Sequence, residues 1–252
     1  MKIAFKVSAI LFLSAASFFA CKDASSDVLD SGSAGDHRSA RTATTTYITS
    51  AVTLPAGAYD VIDIGNGGHL SYSAGTTTIN SVVHSNTPGT AASITIPSGA
   101  NVKVSSPETV PASVNITNNG YLEVQMIVNF GANIYNNGTH KAASLTINGG
   151  KYYERGTSEV GQVVPLSPPY WGQLTLHGPG SLIFENCGYL IAAHITTDAA
   201  NKVTGTGRIK VLTSSNLQYS LTASSTIKLC TDTGVTVTNY GSAVLSCATN
   251  CN

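Results

Sequence analysis

Nine carboxylates in the body of the chain are the groups best suited to acid–base or nucleophilic work: Asp60, Asp63, Glu108, Glu123, Glu154, Glu159, Glu185, Asp198 and Asp232. Cleaving a glycosidic bond takes two carboxyls about 5 to 9.5 Å apart. Only Asp60 and Asp63 are close in sequence, but a coiled chain can align residues from different turns, so spacing neither supplies nor excludes a pair. The histidines, His37, His69, His84, His140, His177 and His194, are dispersed without metal-ligand spacing and read as turn or surface residues. No Gly-x-Ser-x-Gly elbow, phosphate loop or dinucleotide fingerprint occurs. The sequence therefore assigns no catalytic residue, no metal and no cofactor.

The most distinctive local feature is Lys151-Tyr152-Tyr153-Glu154-Arg155, followed by a stretch with Pro165, Pro168 and Pro169 that ends in Tyr170-Trp171. It interrupts the repeating pattern described below. Its aromatic rings could offer flat faces to sugars beside polar Glu154, Arg155 and Glu159, making Tyr152, Tyr153, Glu154, Arg155, Tyr170 and Trp171 the expected binding residues. The alternative is a loop that packs on the flank of the fold and covers strand edges.

Four cysteines, Cys187, Cys230, Cys247 and Cys251, follow a long cysteine-free stretch. In an exported protein an even number reads as disulfides, with three possible connectivities. Cys230, Cys247 and Cys251 crowd the last stretch and could staple its end. Zinc is the alternative for Cys247 and Cys251, but no histidine lies near them in sequence.

Export itself is written at the N-terminus. Lys2 and Lys6 precede an apolar run over residues 7–20 that is shorter than the roughly 18 residues a membrane span requires. It reads as a signal peptide over residues 1–20. Ser17-Phe18-Phe19-Ala20-Cys21 resembles the lipobox of bacterial lipoproteins, which implies that Cys21 is the lipidated first residue of the mature chain and holds it to a membrane. An ordinary cleaved signal followed by a chance cysteine is the alternative. Lys22-Asp23, Asp27 and Asp30 resemble the export tag of some Gram-negative outer-membrane lipoproteins, which implies display at the cell surface. Residues 21–46 have almost no large apolar side chains and read as a disordered tether. The folded domain is expected over residues 47–252.

Thirteen basic residues balance 13 acidic ones, and charged residues make up 10% of the chain. Such thin, neutral charge argues against nucleic acid as a partner. Strands must build the domain, because no window keeps a helical apolar period and period-2 triplets recur instead. Examples are Ile94-Thr95-Ile96, Val114-Asn115-Ile116, Leu145-Thr146-Ile147 and Leu174-Thr175-Leu176, separated by turns rich in Gly, Asn and Pro. The intervals Ile96 to Ile116, Leu145 to Leu174 and Leu174 to Val203 are 20, 29 and 29 residues, in the range of a solenoid repeat. The pieces from Leu174 to Leu182 and from Val203 to Ile209 resemble rungs of the pectin-lyase-like superfamily, which implies a right-handed parallel β-helix. An antiparallel β-sandwich or jelly roll uses similar short strands and is the alternative.

That superfamily includes polysaccharide lyases and glycoside hydrolases. Arg208-Ile209-Lys210 matches one short signature of its polygalacturonases, whose Asn-Thr-Asp, Asp-Asp and Gly-His-Gly motifs are absent. Arg208 and Lys210 are explained equally well as outward residues beside inward Ile209. A possible outward column of Thr95, Asn115, Thr146, Thr175, Thr204 and Thr236 is similar to the ladders of ice-binding proteins, and is also the default of an uncharged strand. The expected function is a cell-surface lipoprotein acting as a non-catalytic binding or structural module, with polysaccharide as the partner. A carbohydrate-active enzyme is the runner-up, and an adhesin or ice-binding protein are further alternatives.

Overall fold

Alternation of apolar and polar residues lets a strand bury one side and wet the other. In this chain the alternating pieces are too short to bury much alone, so they stack turn upon turn. The computed structural model describes residues 43–161, 172–197, 202–213, 215–216, 226–238 and 242–249. Residues 1–42 with Cys21, the stretch with Tyr170 and Trp171, Asp198 and Cys251 lie outside them. The described residues contain no helix and form a right-handed parallel β-solenoid of about 8 turns.

Each complete turn has three faces. The first face carries Ala51–Leu54, His69–Tyr72, Ala92–Ile96, Val114–Asn118, Asn133–Asn136, Lys151–Glu154 and Ser181–Phe184, each parallel to the next. The second and third faces are crossed by long strands such as Tyr121–Phe130 and Thr139–Asn148. Thr139–Asn148 pairs through its first half with Thr157–Val160 and through its second half with Gln173–His177, so the strand turns the corner between them. At that corner the alternation breaks and Ala142 and Ala143 are both buried, small enough to let the chain bend inward.

The core is a set of stacks running along the coil. On the first face Leu70, Ile94, Ile116 and Ile134 lie in register, continued by Tyr152 and Leu182. On the third, Ile127, Leu145, Leu174 and Ile195 do the same. Burying each Leu or Ile contributes roughly 1.5–3 kcal/mol before entropy is counted, and the parallel ladder satisfies the backbone between turns.

The register corrects part of the expected repeat. Leu145 does pair with Leu174, but Ile96 lies against Asn118 rather than Ile116, and Val203 lies against Leu182 on the first face rather than Leu174. The reason is that similar triplets occur on all three faces, so matching triplets across faces gives false intervals. Turn length varies instead: in-register contacts separate by 18, 24 and 30 residues at different turns. The shortest turns meet the next at glycine corners. A Cβ on Gly138 would strike the backbone of Gly120, and one on Gly156 the backbone of Gly138.

Near the end of the described coil, Cys230 and Cys247 form a disulfide across 17 residues with Cα atoms 4.6 Å apart. Cys187 is also disulfide-bonded.

Candidate functional site

The segment expected to interrupt the rungs is an ordinary rung. Lys151–Glu154 pairs residue for residue with Asn133–Asn136 before it and Ser181–Phe184 after it. Strand alternation then divides the expected binding residues. Tyr152 and Glu154 point into the coil and are 0% exposed, whereas Tyr153 and Arg155 point outward. Tyr170 and Trp171 fall outside the described residues.

The outward side of the first face is a grid. Thr117, Tyr135, Tyr153 and Ile183 form its central column, flanked on one side by Asn115, Asn133, Lys151 and Ser181. The rings of Tyr135 and Tyr153 stack with centroids 4.6 Å apart and planes 11° apart. The Arg155 guanidinium lies 5.3 and 5.7 Å from those two centroids and donates from Nε to Glu185 at 2.5 Å. Asn137 donates to Asn119 at 2.8 Å and accepts from Arg155 at 3.4 Å, completing an outer ladder at the corner. Because the rings stack along the coil axis, they turn edges rather than faces outward. A ligand would meet ring edges, amides and hydroxyls here, not the flat platform an isolated aromatic gives.

The second face carries charge instead. Lys103, Glu123, Lys141 and Glu159 stand in one outward column. Lys103 pairs with Glu123 at 3.2 Å and Lys141 with Glu159 at 2.8 Å. The Tyr121 hydroxyl donates to Glu123 at 2.7 Å, which with Lys103 holds that carboxyl below the usual carboxylate range. Further along, Arg208 lies 4.4 Å over the Tyr189 ring and Lys210 pairs with Asp232 at 2.8 Å. Both flank inward Ile209, as the sequence suggests. The remaining described carboxylates are engaged too: Asp60 accepts from Asn80, Asp63 from the Ser85 amide, and Glu108 lies 3.2 Å from His84. Among the described residues no cluster of three or more His, Cys, Asp or Glu has metal-holding geometry.

Asn118 and Asn136, which the sequence reading did not single out, lie one position inward of the outer ladder and link to the expected residue Glu154. Asn118 donates to Asn136 at 2.8 Å, and Asn136 donates to Glu154 at 2.9 Å, in a buried column ending on Glu154. Asn118 also donates to the Thr139 carbonyl and Asn136 to that of Thr157, satisfying backbone at the turns. Beside the column, Ser158, Tyr152 and His140 continue the network inward. Burial pushes Glu154 up to about 8 and His140 down to about 4. The signal was available: Asn118-Asn119-Gly120, Asn136-Asn137-Gly138 and Glu154-Arg155-Gly156 recur at 18-residue intervals.

The supposed threonine column is divided among faces. Thr146 and Thr175 are in register on the third face, while Thr95 and Thr204 belong to the first and Thr236 lies outside the strands. Comparison with protein-family models, with curated proteins and with solved structures returns no match.

Proposed function

We infer that the chain is a non-catalytic module, anchored at the outer membrane through a lipid on Cys21, that binds an extended polysaccharide along its first face. The observation that carries this reading is the grid itself. Hydroxyl and aromatic groups from Ser71 and Thr95 through Thr117, Tyr135 and Tyr153 repeat once per turn in register, beside the amides of Asn115 and Asn133. A polymer made of repeating units can meet such a ladder with the same contact many times, which is how solenoids make extended binding surfaces. The face is nearly uncharged, which suits a hydroxyl-rich ligand. Engagement of the described carboxylates in hydrogen bonds and ion pairs supports binding rather than turnover, since a hydrolytic pair needs one carboxyl aimed at the leaving oxygen and another at the anomeric carbon or its water.

The test is a glycan-array screen of the full-length chain against two double variants, Lys151→Ala with Tyr153→Ala and Tyr170→Ala with Trp171→Ala. Loss of binding by at least 10-fold in the first pair supports the grid. Loss confined to the second pair moves the site to the Pro-rich stretch. Absence of binding to every glycan overturns the ligand class, and release of shortened products from a bound glycan overturns the non-catalytic reading.

A further inference from the structure

Behind the grid, inside the coil, four side chains from two consecutive turns are joined end to end. Ser158 Oγ is hydrogen-bonded to Oε2 of Glu154 and lies 3.0 Å from the Tyr152 hydroxyl, which lies 2.6 Å from Nδ1 of His140. All four residues are at most 1% exposed. At one end Asn136 Nδ2 lies 2.9 and 3.2 Å from the two carboxyl oxygens of Glu154 and 3.1 Å from Ser158 Oγ, and the Gly156 amide donates to Oε1 at 3.0 Å. At the other, His140 Nε2 is buried without a hydrogen-bond partner.

A hydroxyl carries a single hydrogen, so donation along Ser158 and Tyr152 must run in one direction. Two arrangements make every link. In the first, a Glu154 carboxylic acid donates to Ser158, Ser158 to Tyr152, and Tyr152 to Nδ1 of His140, leaving the imidazole hydrogen on Nε2. In the second, Glu154 is a carboxylate and every bond reverses: Nδ1–H donates to Tyr152, Tyr152 to Ser158 and Ser158 to Glu154. A mixed arrangement sets two lone pairs or two hydrogens against each other at one link: facing hydrogens clash, and facing lone pairs 3.0 Å apart on Ser158 and Tyr152 repel in the low-dielectric interior even though Asn136 still donates to Ser158.

We propose that Glu154, Ser158, Tyr152 and His140 form a two-state proton wire in the coil interior, in which ionisation at the carboxyl end sets the tautomer of the imidazole at the other. Passing from the first state to the second, the carboxyl hydrogen moves to Ser158, each hydroxyl hydrogen moves one link on, Nδ1 gains one, and the Nε2 hydrogen is lost to bulk solvent when the coil opens locally. One proton leaves, and the only charge gained is that of the carboxylate. Nothing else facing the wire from the packed elements titrates. Ile134 and Leu182 flank Tyr152, Leu122 and Leu190 close the column of His140 and Ser158, and Phe184 lies beyond Glu154. Arg155, Lys141 and Glu159 sit on the same strands or corner but point outward. Desolvation favours the neutral first state, as the upward displacement of Glu154 and the downward one of His140 both express.

The experiment is 15N-edited NMR of the histidine side chains of the full-length chain between pH 5 and 10. In the wild type His140 is expected as the Nε2–H tautomer at pH 6 and as Nδ1–H by pH 9. Glu154→Gln, whose amide donates to Ser158 as the acid does, is expected to hold Nε2–H throughout. Tyr152→Phe cuts the wire and is expected to free the His140 tautomer from the pH of that transition. A wild-type His140 whose tautomer does not change between pH 6 and 9 overturns the proposal, and so does an identical change in Glu154→Gln. The wild-type measurement decides even if a variant fails to fold.

Discussion

Two ladders run side by side through the same three turns, one residue apart in sequence. Asn118, Asn136 and Glu154 point inward, and Asn119, Asn137 and Arg155 stand at the outer corner. Both are built of amides linked turn to turn at nearly the same distance, 2.8 Å between the asparagines in each. Their energetic meaning is opposite. The inner amides have no water to fall back on, so each missing bond leaves a stranded donor or acceptor. Water replaces the outer bonds at little cost. Identical residue types therefore act as structural fasteners on one side of the backbone and as adaptable surface on the other.

The sharpest way to break that comparison is a matched pair of substitutions. Asn136→Ala removes the bonds to Asn118, Glu154 and the Thr157 carbonyl, and should cost about 3 kcal/mol of unfolding free energy. Asn137→Ala, its neighbour, should cost no more than about 0.5 kcal/mol. Urea unfolding of the two variants checks both, and equal costs would erase the distinction.

A second effect is tied to pH. Glu154 is raised to about 8 from an ordinary 4.5, and His140 lowered to about 4 from 6.5, both by burial. The folded protein holds an extra proton on Glu154 between those two values, so Glu154 makes stability fall as pH rises from 4.5 to 8. It lacks one on His140 between pH 4 and 6.5, so His140 makes stability rise over that interval. The slopes cancel from pH 4.5 to 6.5, where the pair's contribution is greatest. From pH 6.5 to 8 it falls by roughly 2 kcal/mol. Thermal melts across pH should show this alkaline decline in the wild type and its loss in Glu154→Gln.

Smaller effects belong to the outside. Arg155→Ala removes the contact over both tyrosines and the bond to Glu185, and should cost about 1 kcal/mol. Lys141→Ala, which breaks a half-exposed ion pair with Glu159, should cost about 0.5 kcal/mol or less. Denaturant midpoints in low and high salt distinguish them, because salt screens the Lys141 pair and the Arg155–Glu185 pair alike but leaves the ring contact of Arg155, so only the Arg155→Ala cost should persist in high salt.

Much of this fold is legible in residue types. Alternating triplets with glycine and asparagine turns specify short strands, but such strands suit a sandwich as well as a stacked coil, and the parallel pairing of successive turns is what makes them a coil. The Tyr152–Tyr153 pair shows where that legibility ends. Both are aromatic and adjacent, and both read as binding residues, yet a strand must send one inward and one outward. Which one goes where depends on the rung's register with Asn133–Asn136.

The sequence by itself determined the strand class and the outward placement of Arg208 and Lys210 around Ile209, since these follow from local alternation, whereas the choice of a coil over a sandwich rests on the parallel register between turns. Only the tertiary structure decided which turns align, that Glu154 ends a buried amide column, and that the tyrosine rings turn their edges outward. Those facts rest on contacts between residues 18 to 30 positions apart, and turns of unequal length hide such contacts from any fixed sequence interval.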